Sequence, residues 1–217
     1  MKDRHALIFW MGGVITESLL EVSTNALEEM GQPGINLLSM PGFSKLSERL
    51  FLGKINDLQF FNEITAEMKT DLDIAQILFK VKGKLHPCFR TLNAINLIPP
   101  RYQRWLICEF PVSWFEQLNT MYGMTNYFRM DHVLFLSTSG LDQIIPDLFD
   151  YLPEKVGDTP EKCLYFDKNP KRVIAAINRT FPAVIYVDPS RLEREFVMRN
   201  FIERPQPRHT PPVTLEK

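Results

Sequence analysis

Short apolar runs alternate with stretches of helical periodicity along most of this chain. Ala6–Trp10 is apolar on both faces, as a central parallel strand requires. The strands predicted from such runs are 6–10, 104–108, 132–136, 163–166 and 183–187. The helices predicted after them are 112–121, 146–155, 170–179 and 189–201, each with a proline at or near its start. This alternation predicts an α/β fold built on a doubly wound parallel sheet.

Residues 17–85 depart from that rhythm, because four helical stretches follow one another without a strand candidate. The stretches are about 17–30, 42–52, 56–69 and 71–81. We interpret 17–85 as a small helical cap inserted after the first strand, and 1–16 with 86–202 as the α/β core. The proline-rich segment 203–217 cannot propagate a helix and is expected to be an extended, flexible tail.

The charge and cysteine content exclude several classes of protein. With 25 Lys and Arg against 26 Asp and Glu, the chain has no positive excess for nucleic acid. Its three cysteines form no CxxC pair, and its four histidines form no zinc motif. No apolar run approaches the roughly 20 residues of a membrane span, and the first strand lacks a cleavage site after it. We therefore expect a cytoplasmic protein that binds neither nucleic acid nor membrane; its oligomeric state is not indicated.

Ligands of an open parallel sheet bind outside the carboxyl ends of its strands. The segments expected to border a ligand site are therefore 10–13, 108–109, 137–140 and 167–168. Within them the candidate ligand-binding residues are Trp10, Gly12, Gly13, Cys108, Glu109, Thr138, Ser139 and Lys168, and the candidate metal ligand is Asp167.

These segments resemble, in order and spacing, the four motifs of the haloacid dehalogenase (HAD) superfamily. The matching stretches are Phe9–Ile15, Leu106–Phe115, Ser139–Asp147 and Cys163–Pro170, and 53–61 resembles the helical cap of the same group. The resemblance covers about 5–190. It implies a Rossmann-like core, a nucleophilic Asp that attacks a phosphate or a carbon, and a Mg²⁺ ion held by carboxylates.

The departures from the motifs fall on the residues that the resemblance would make catalytic. The nucleophile position is Trp10, whose indole has no nucleophilic oxygen. The phosphate-binding hydroxyl position is Cys108, the lysine position is Ile145, and the second metal-binding Asp is Lys168. Gly12 stands where many relatives have an Asp, although active relatives also carry Gly there.

One carboxylate beside a fixed cation is a poor site for Mg²⁺, which prefers several oxygen ligands in octahedral geometry. We therefore expect no cofactor, with weak Mg²⁺ binding at Asp167 as the alternative. Lys168 is expected either to pair with Asp167 in place of the ion or to point to solvent.

Each candidate also has an ordinary structural interpretation. Trp10 either fills the former substrate cavity or stacks on a ligand, and Cys108 is either a buried core residue or a reactive thiol. Glu109 is either a replacement acid, base or metal ligand, or else a solvated loop residue or helix cap. Thr138 and Ser139 either bind an anion or are ordinary loop residues.

The sequence is compatible with three functions. The chain can be a catalytically inactive HAD-like protein, or pseudoenzyme, that binds a small molecule or a protein. It can be an active Mg²⁺-dependent phosphatase or other hydrolase with an unorthodox site. It can also have a purely structural role, because fold does not imply function.

Overall fold

The computed structural model describes residues 6–202, in which five parallel strands form one sheet of order β3-β2-β1-β4-β5. The strands are β1 (Ala6–Trp10), β2 (Gln103–Cys108), β3 (Val133–Phe135), β4 (Cys163–Asp167) and β5 (Ala183–Ile185). All five predicted strands and the α/β fold are confirmed. The prediction of a flexible tail at 203–217 lies outside the described residues.

Helices connect the strands and cover the sheet. They are α1 (Leu19–Glu29), α2 (Phe43–Phe51), α3 (Asp57–Glu67), α4 (Ile74–Lys84), α5 (Phe89–Asn96), α6 (Val112–Tyr122), α7 (Asp147–Val156), α8 (Pro170–Asn178) and α9 (Pro189–Met198). All the predicted helices are present, and α5 was not predicted. No helix within 6–202 combines the length and apolar character needed to cross a bilayer.

The middle strand β1 and its neighbour β4 form the centre of the core. Every residue of both strands is buried, which explains why their sequences are apolar on both faces. The rings of Phe9 and Phe166 stack across them with centroids 5.0 Å apart. The parallel register of the two strands places their carboxyl ends side by side.

Local sequence signals determine where the helices next to the site begin. Ser18 and Glu21 form a capping box at the start of α1, each side chain accepting a hydrogen bond from the other's backbone amide. The helix α8 begins at Pro170, and the Asn169 side chain accepts a hydrogen bond from Lys171 N. The first turns of α1 and α8 therefore have defined positions above the sheet edge.

Helices α1–α4, which the sequence predicts to form a cap, lie between β1 and β2 in the chain, and polar contacts join them to later elements. The Trp114 indole of α6 donates to Asp57 Oδ2 of α3 at 3.0 Å, and Lys82 of α4 pairs with the same oxygen at 3.3 Å. Farther along the cap, the backbone amide of Ile144 donates to Glu48 Oε1 at 2.9 Å. Polar contacts from α2 and α3 therefore reach two different parts of the chain that follows β2.

Candidate functional site

Residues from three predicted motifs meet at one edge of the sheet. Because β1 lies between β2 and β4 in parallel register, the positions after these strands are neighbours. A compact group forms there, which we call the sheet-edge cluster: Trp10, Glu109, Tyr165, Asp167 and Arg172.

Trp10, at the end of β1, is an interior residue with only 1 % of its surface exposed. The Arg172 guanidinium lies over its ring, with Cζ 3.7 Å from the ring centroid. This is the geometry of a cation–π contact. The indole is therefore covered by protein atoms and presents no open stacking face at this end of the strand.

Asp167, at the end of β4, is fully buried and is bound by Arg172 through both carboxylate oxygens. Arg172 Nε lies 2.5 Å from Oδ2, and Nη2 lies 2.9 Å from Oδ1. The Tyr165 hydroxyl also donates to Oδ2, and the Asn169 amide donates to Oδ1 at 2.8 Å. Burial acts to lower the pKa of Arg172, but the hydrogen bonds and charge of Asp167 outweigh it and raise that pKa. Asp167 is therefore a carboxylate whose charge is neutralised inside the protein.

Of the two alternatives for Lys168, the pairing with Asp167 is wrong, and the side chain points partly to solvent. Lys168 Nζ lies 2.6 Å from Glu21 Oε1 of α1, and 53 % of the Lys168 side chain is exposed. Arg172 takes the predicted role because side chains in a helix lean toward its N-terminus. From the first turn of α8, Arg172 thus reaches back to the end of β4.

Glu109, just after β2, is also buried, with 2 % of its surface exposed. The Gly12 amide donates to its Oε1 at 2.8 Å, and Oε2 has no partner within the described residues. Burial raises the pKa of Glu109 to about 7, against the opposing effects of its own amide, Arg172 and Trp10. The interpretation of Glu109 as a solvated loop residue is therefore wrong.

The Glu109 carboxylate explains why residue 12 is a glycine. A Cβ atom at position 12 would lie 2.1 Å from Glu109 Oε1, far inside contact distance. Glu109 thus occupies the space where a side chain of the first motif would begin.

The remaining candidates do not join the cluster through their polar groups. Cys108 is buried, and burial together with the charge of Glu109 raises the pKa of its thiol well above the ordinary value. The hydroxyls of Thr138 and Ser139 donate to the backbone oxygens of Phe135 and Leu136, which closes a local turn. Ile145 is 37 % exposed. Gly13 packs against the aliphatic stem of Lys168.

Sequence reasoning missed two members of the cluster, Arg172 and Tyr165. Arg172 had a usable signal, since it is a basic residue in the first turn of the helix that follows the fourth motif. Tyr165 had none, because it lies inside the apolar run of β4 and reads as a core aromatic.

The cluster does not fit Mg²⁺. Both oxygens of Asp167 are already held by Arg172, whose positive charge would lie beside the ion. The residues that the structure describes contain no group of three or more His, Cys, Asp or Glu suited to a metal. Mg²⁺ requires several oxygen ligands at once, and the cluster offers no such set because Arg172 already occupies both oxygens of Asp167.

Comparison with known proteins gives matches at the level of structure. No family model and no curated protein sequence matches the chain. HAD family enzyme bt-2542 from Bacteroides thetaiotaomicron superposes with a TM-score of 0.69 and 14 % identity, over 86 % of this chain and 95 % of that one. A predicted HAD-like family hydrolase from Porphyromonas gingivalis gives 0.68 and 18 %, over 93 % and 99 %.

A third match is L-2-haloacid dehalogenase from Xanthobacter autotrophicus, with a TM-score of 0.61 and 17 % identity over 90 % of this chain and 83 % of that one. These similarities, at such low identity, concern the fold. Together with the five-stranded parallel sheet and the helices inserted after β1, they establish that this chain has the fold of the HAD-like hydrolase superfamily.

Proposed function

We propose that this protein is a catalytically inactive member of the HAD-like fold, which acts by binding a small molecule or another protein. The observation that carries the proposal is Trp10, which lies buried under Arg172 at the end of β1. Loss of a covalent nucleophile typically costs several powers of ten in rate. An indole carbon or N–H cannot replace a carboxylate in that step.

The charge arrangement supports the same proposal. HAD family enzyme bt-2542 was crystallised with magnesium and inorganic phosphate, so Mg²⁺ is a reasonable ion to test here. In this chain the Arg172 guanidinium already neutralises Asp167. We propose that Arg172 takes over the structural part of an ion's role, which is to hold the ends of β1 and β4 together. The protein would then need no metal.

An active hydrolase is the second candidate, and Glu109 favours it. A buried carboxyl with a pKa near 7 and one unpartnered oxygen has the properties of a general base. Such a base must reach a water molecule beside the substrate. Glu109 is 2 % exposed and Trp10 is 1 % exposed, so this candidate requires the cluster to open first.

A phosphatase assay distinguishes the two candidates. The wild type, Glu109→Gln and Lys171→Met would be purified identically and assayed with p-nitrophenyl phosphate, with Mg²⁺ and with EDTA. Lys171→Met is the matched control, because Lys171 is exposed on α8 and only its backbone amide is used, by Asn169. We expect no turnover above the buffer blank in any preparation.

Turnover in the wild type and in Lys171→Met that is lost in Glu109→Gln would overturn the proposal in favour of the hydrolase. Turnover that disappears in EDTA would show in addition that a metal is needed. A cytoplasmic location and a small-molecule or protein partner remain part of the proposal; fractionation of cells and pull-down from them would test these two points.

A further inference from the structure

An open cleft of about 350 Å³ remains beside the filled sheet-edge cluster; we call it the hinge cleft. The chain runs from β1 outward through β2 and β3, then returns to the other side of β1 with β4 and β5. The point of reversal lies between β1 and β4. Gly13 follows β1 and Lys168 follows β4, and both line the hinge cleft. Open α/β sheets bind ligands at this kind of switch point.

The other wall of the hinge cleft consists of the two connections between cap and core. Glu17 belongs to the first connection, and His86 to the second. The connections pair with each other, since Thr16 and Pro87 form an antiparallel bridge and Cys88 N donates to Ile15 O at 2.6 Å. A ligand in this cleft would therefore contact a wall that is already ordered.

The polar groups of the hinge cleft carry both signs of charge. The Lys168 ammonium has three donors, of which Glu21 uses one at 2.6 Å. Glu21 is held in place because its Oε2 accepts from both the amide and the hydroxyl of Ser18, each at 2.8 Å. The exposed carboxylate of Glu17 lies on the same lining. Because the Lys168–Glu21 pair is partly exposed, a ligand can rearrange it at little cost.

We propose that the hinge cleft binds a small zwitterion of the amino-acid type, with its carboxylate on Lys168 and its ammonium on the acidic side formed by Glu17 and Glu21. The proposal rests on the non-catalytic binding function proposed above. A simple anion would face two carboxylates, and a simple cation would face Lys168. A cleft of about 350 Å³ is at the lower end of ligand sites, which favours a small molecule.

The test is a binding screen on the full chain labelled with ¹⁵N. Each standard amino acid is added singly at about 10 mM, or at saturation where it dissolves less, so that a site with a Kd of about 1 mM is largely occupied, and backbone amide shifts are recorded. For the strongest binder, the amine without its carboxylate and the acid without its amino group are compared. We expect shifts at Gly13, Glu17 and Lys168, and affinity at least about fivefold above that of either analogue.

Variants locate the binding site. Lys168→Met and Glu17→Gln are each expected to weaken binding about fivefold or more. Lys171→Met, whose residue does not line the cleft, is expected to keep wild-type affinity. The inference would be overturned if no amino acid bound. It would also be overturned if either analogue bound as tightly as the amino acid, or if Lys171→Met weakened binding as much as Lys168→Met. Those results would leave the proposed absence of catalysis intact, because the phosphatase assay alone tests turnover.

Discussion

Removal of Arg172 is expected to destabilise the protein far more than removal of Lys168, although the two are only four positions apart. In Arg172→Met, the fully buried Asp167 carboxylate keeps its bonds from Tyr165 and Asn169 but loses its counter-charge. Breaking a buried ion pair from one side costs about 3–5 kcal/mol. The free energy of unfolding of a typical domain is about 5–15 kcal/mol, so the loss would be a large share of it.

The matched control is Lys168→Met, which removes a partly exposed ion pair with Glu21. Such pairs contribute about 0–1 kcal/mol. Urea denaturation followed by circular dichroism gives both values, provided that the slopes against urea agree with the wild type. The double variant Asp167→Asn, Arg172→Met should recover part of the loss, because it removes both charges.

If the free energy of unfolding of Arg172→Met lay within about 1 kcal/mol of the wild type, Arg172 would not be needed to balance the charge of Asp167. If Lys168→Met lost as much free energy of unfolding as Arg172→Met, Lys168 would be the counter-ion of Asp167 and the prediction would be wrong.

Three further variants test the surroundings of the cluster. The pKa of Glu109 is raised from 4.5 to about 7, so the folded state holds the proton more tightly than the unfolded state. The free energy of unfolding should therefore fall by on the order of 3 kcal/mol as the pH rises from about 4.5 to about 7. In urea titrations, the free energy of unfolding of Glu109→Gln should not show that fall. A Glu109→Gln profile identical to that of the wild type would show that Glu109 is not the group responsible. Gly12→Ala should lower the free energy of unfolding by about 1–3 kcal/mol through overpacking. In a Glu109→Ala background the same substitution should cost nothing; equal costs in both backgrounds would show that Glu109 is not what excludes a side chain at position 12. Trp114→Phe loses the hydrogen bond to Asp57 and part of a buried ring, so it should cost about 1–3 kcal/mol. It should also speed amide hydrogen exchange in α3; unchanged exchange would show that this contact does not hold α3 against α6.

The strands and most helices could be predicted because their sequence signals are local and strong. β1 and β4 are continuous apolar runs, as buried parallel strands must be. The helix α5 escaped prediction since Cys88 provides no side-chain cap before it. Its signal was the apolar spacing of Leu92 and Ile95 followed by two prolines.

The chemistry of the site was harder to predict because it depends on side-chain direction. The absence of a nucleophilic oxygen at Trp10 follows from the residue type alone. The partner of Asp167 does not, because Lys168 is adjacent in sequence but leaves the strand toward α1, while Arg172 returns from α8. Likewise, no sequence pattern placed the Glu109 carboxylate against the amide of Gly12.

The contact between Gly12 and Glu109 also restricts how this chain could regain catalysis by mutation. An acidic side chain at position 12 has no room while the Glu109 carboxylate fills that volume, and a carboxylate at position 10 would meet a guanidinium already bound to Asp167. An acid at position 12 would therefore need a change at 109 first, and a free carboxylate at position 10 would need a change at 172. The route back to an enzyme is therefore epistatic, and the order of its steps is set by packing.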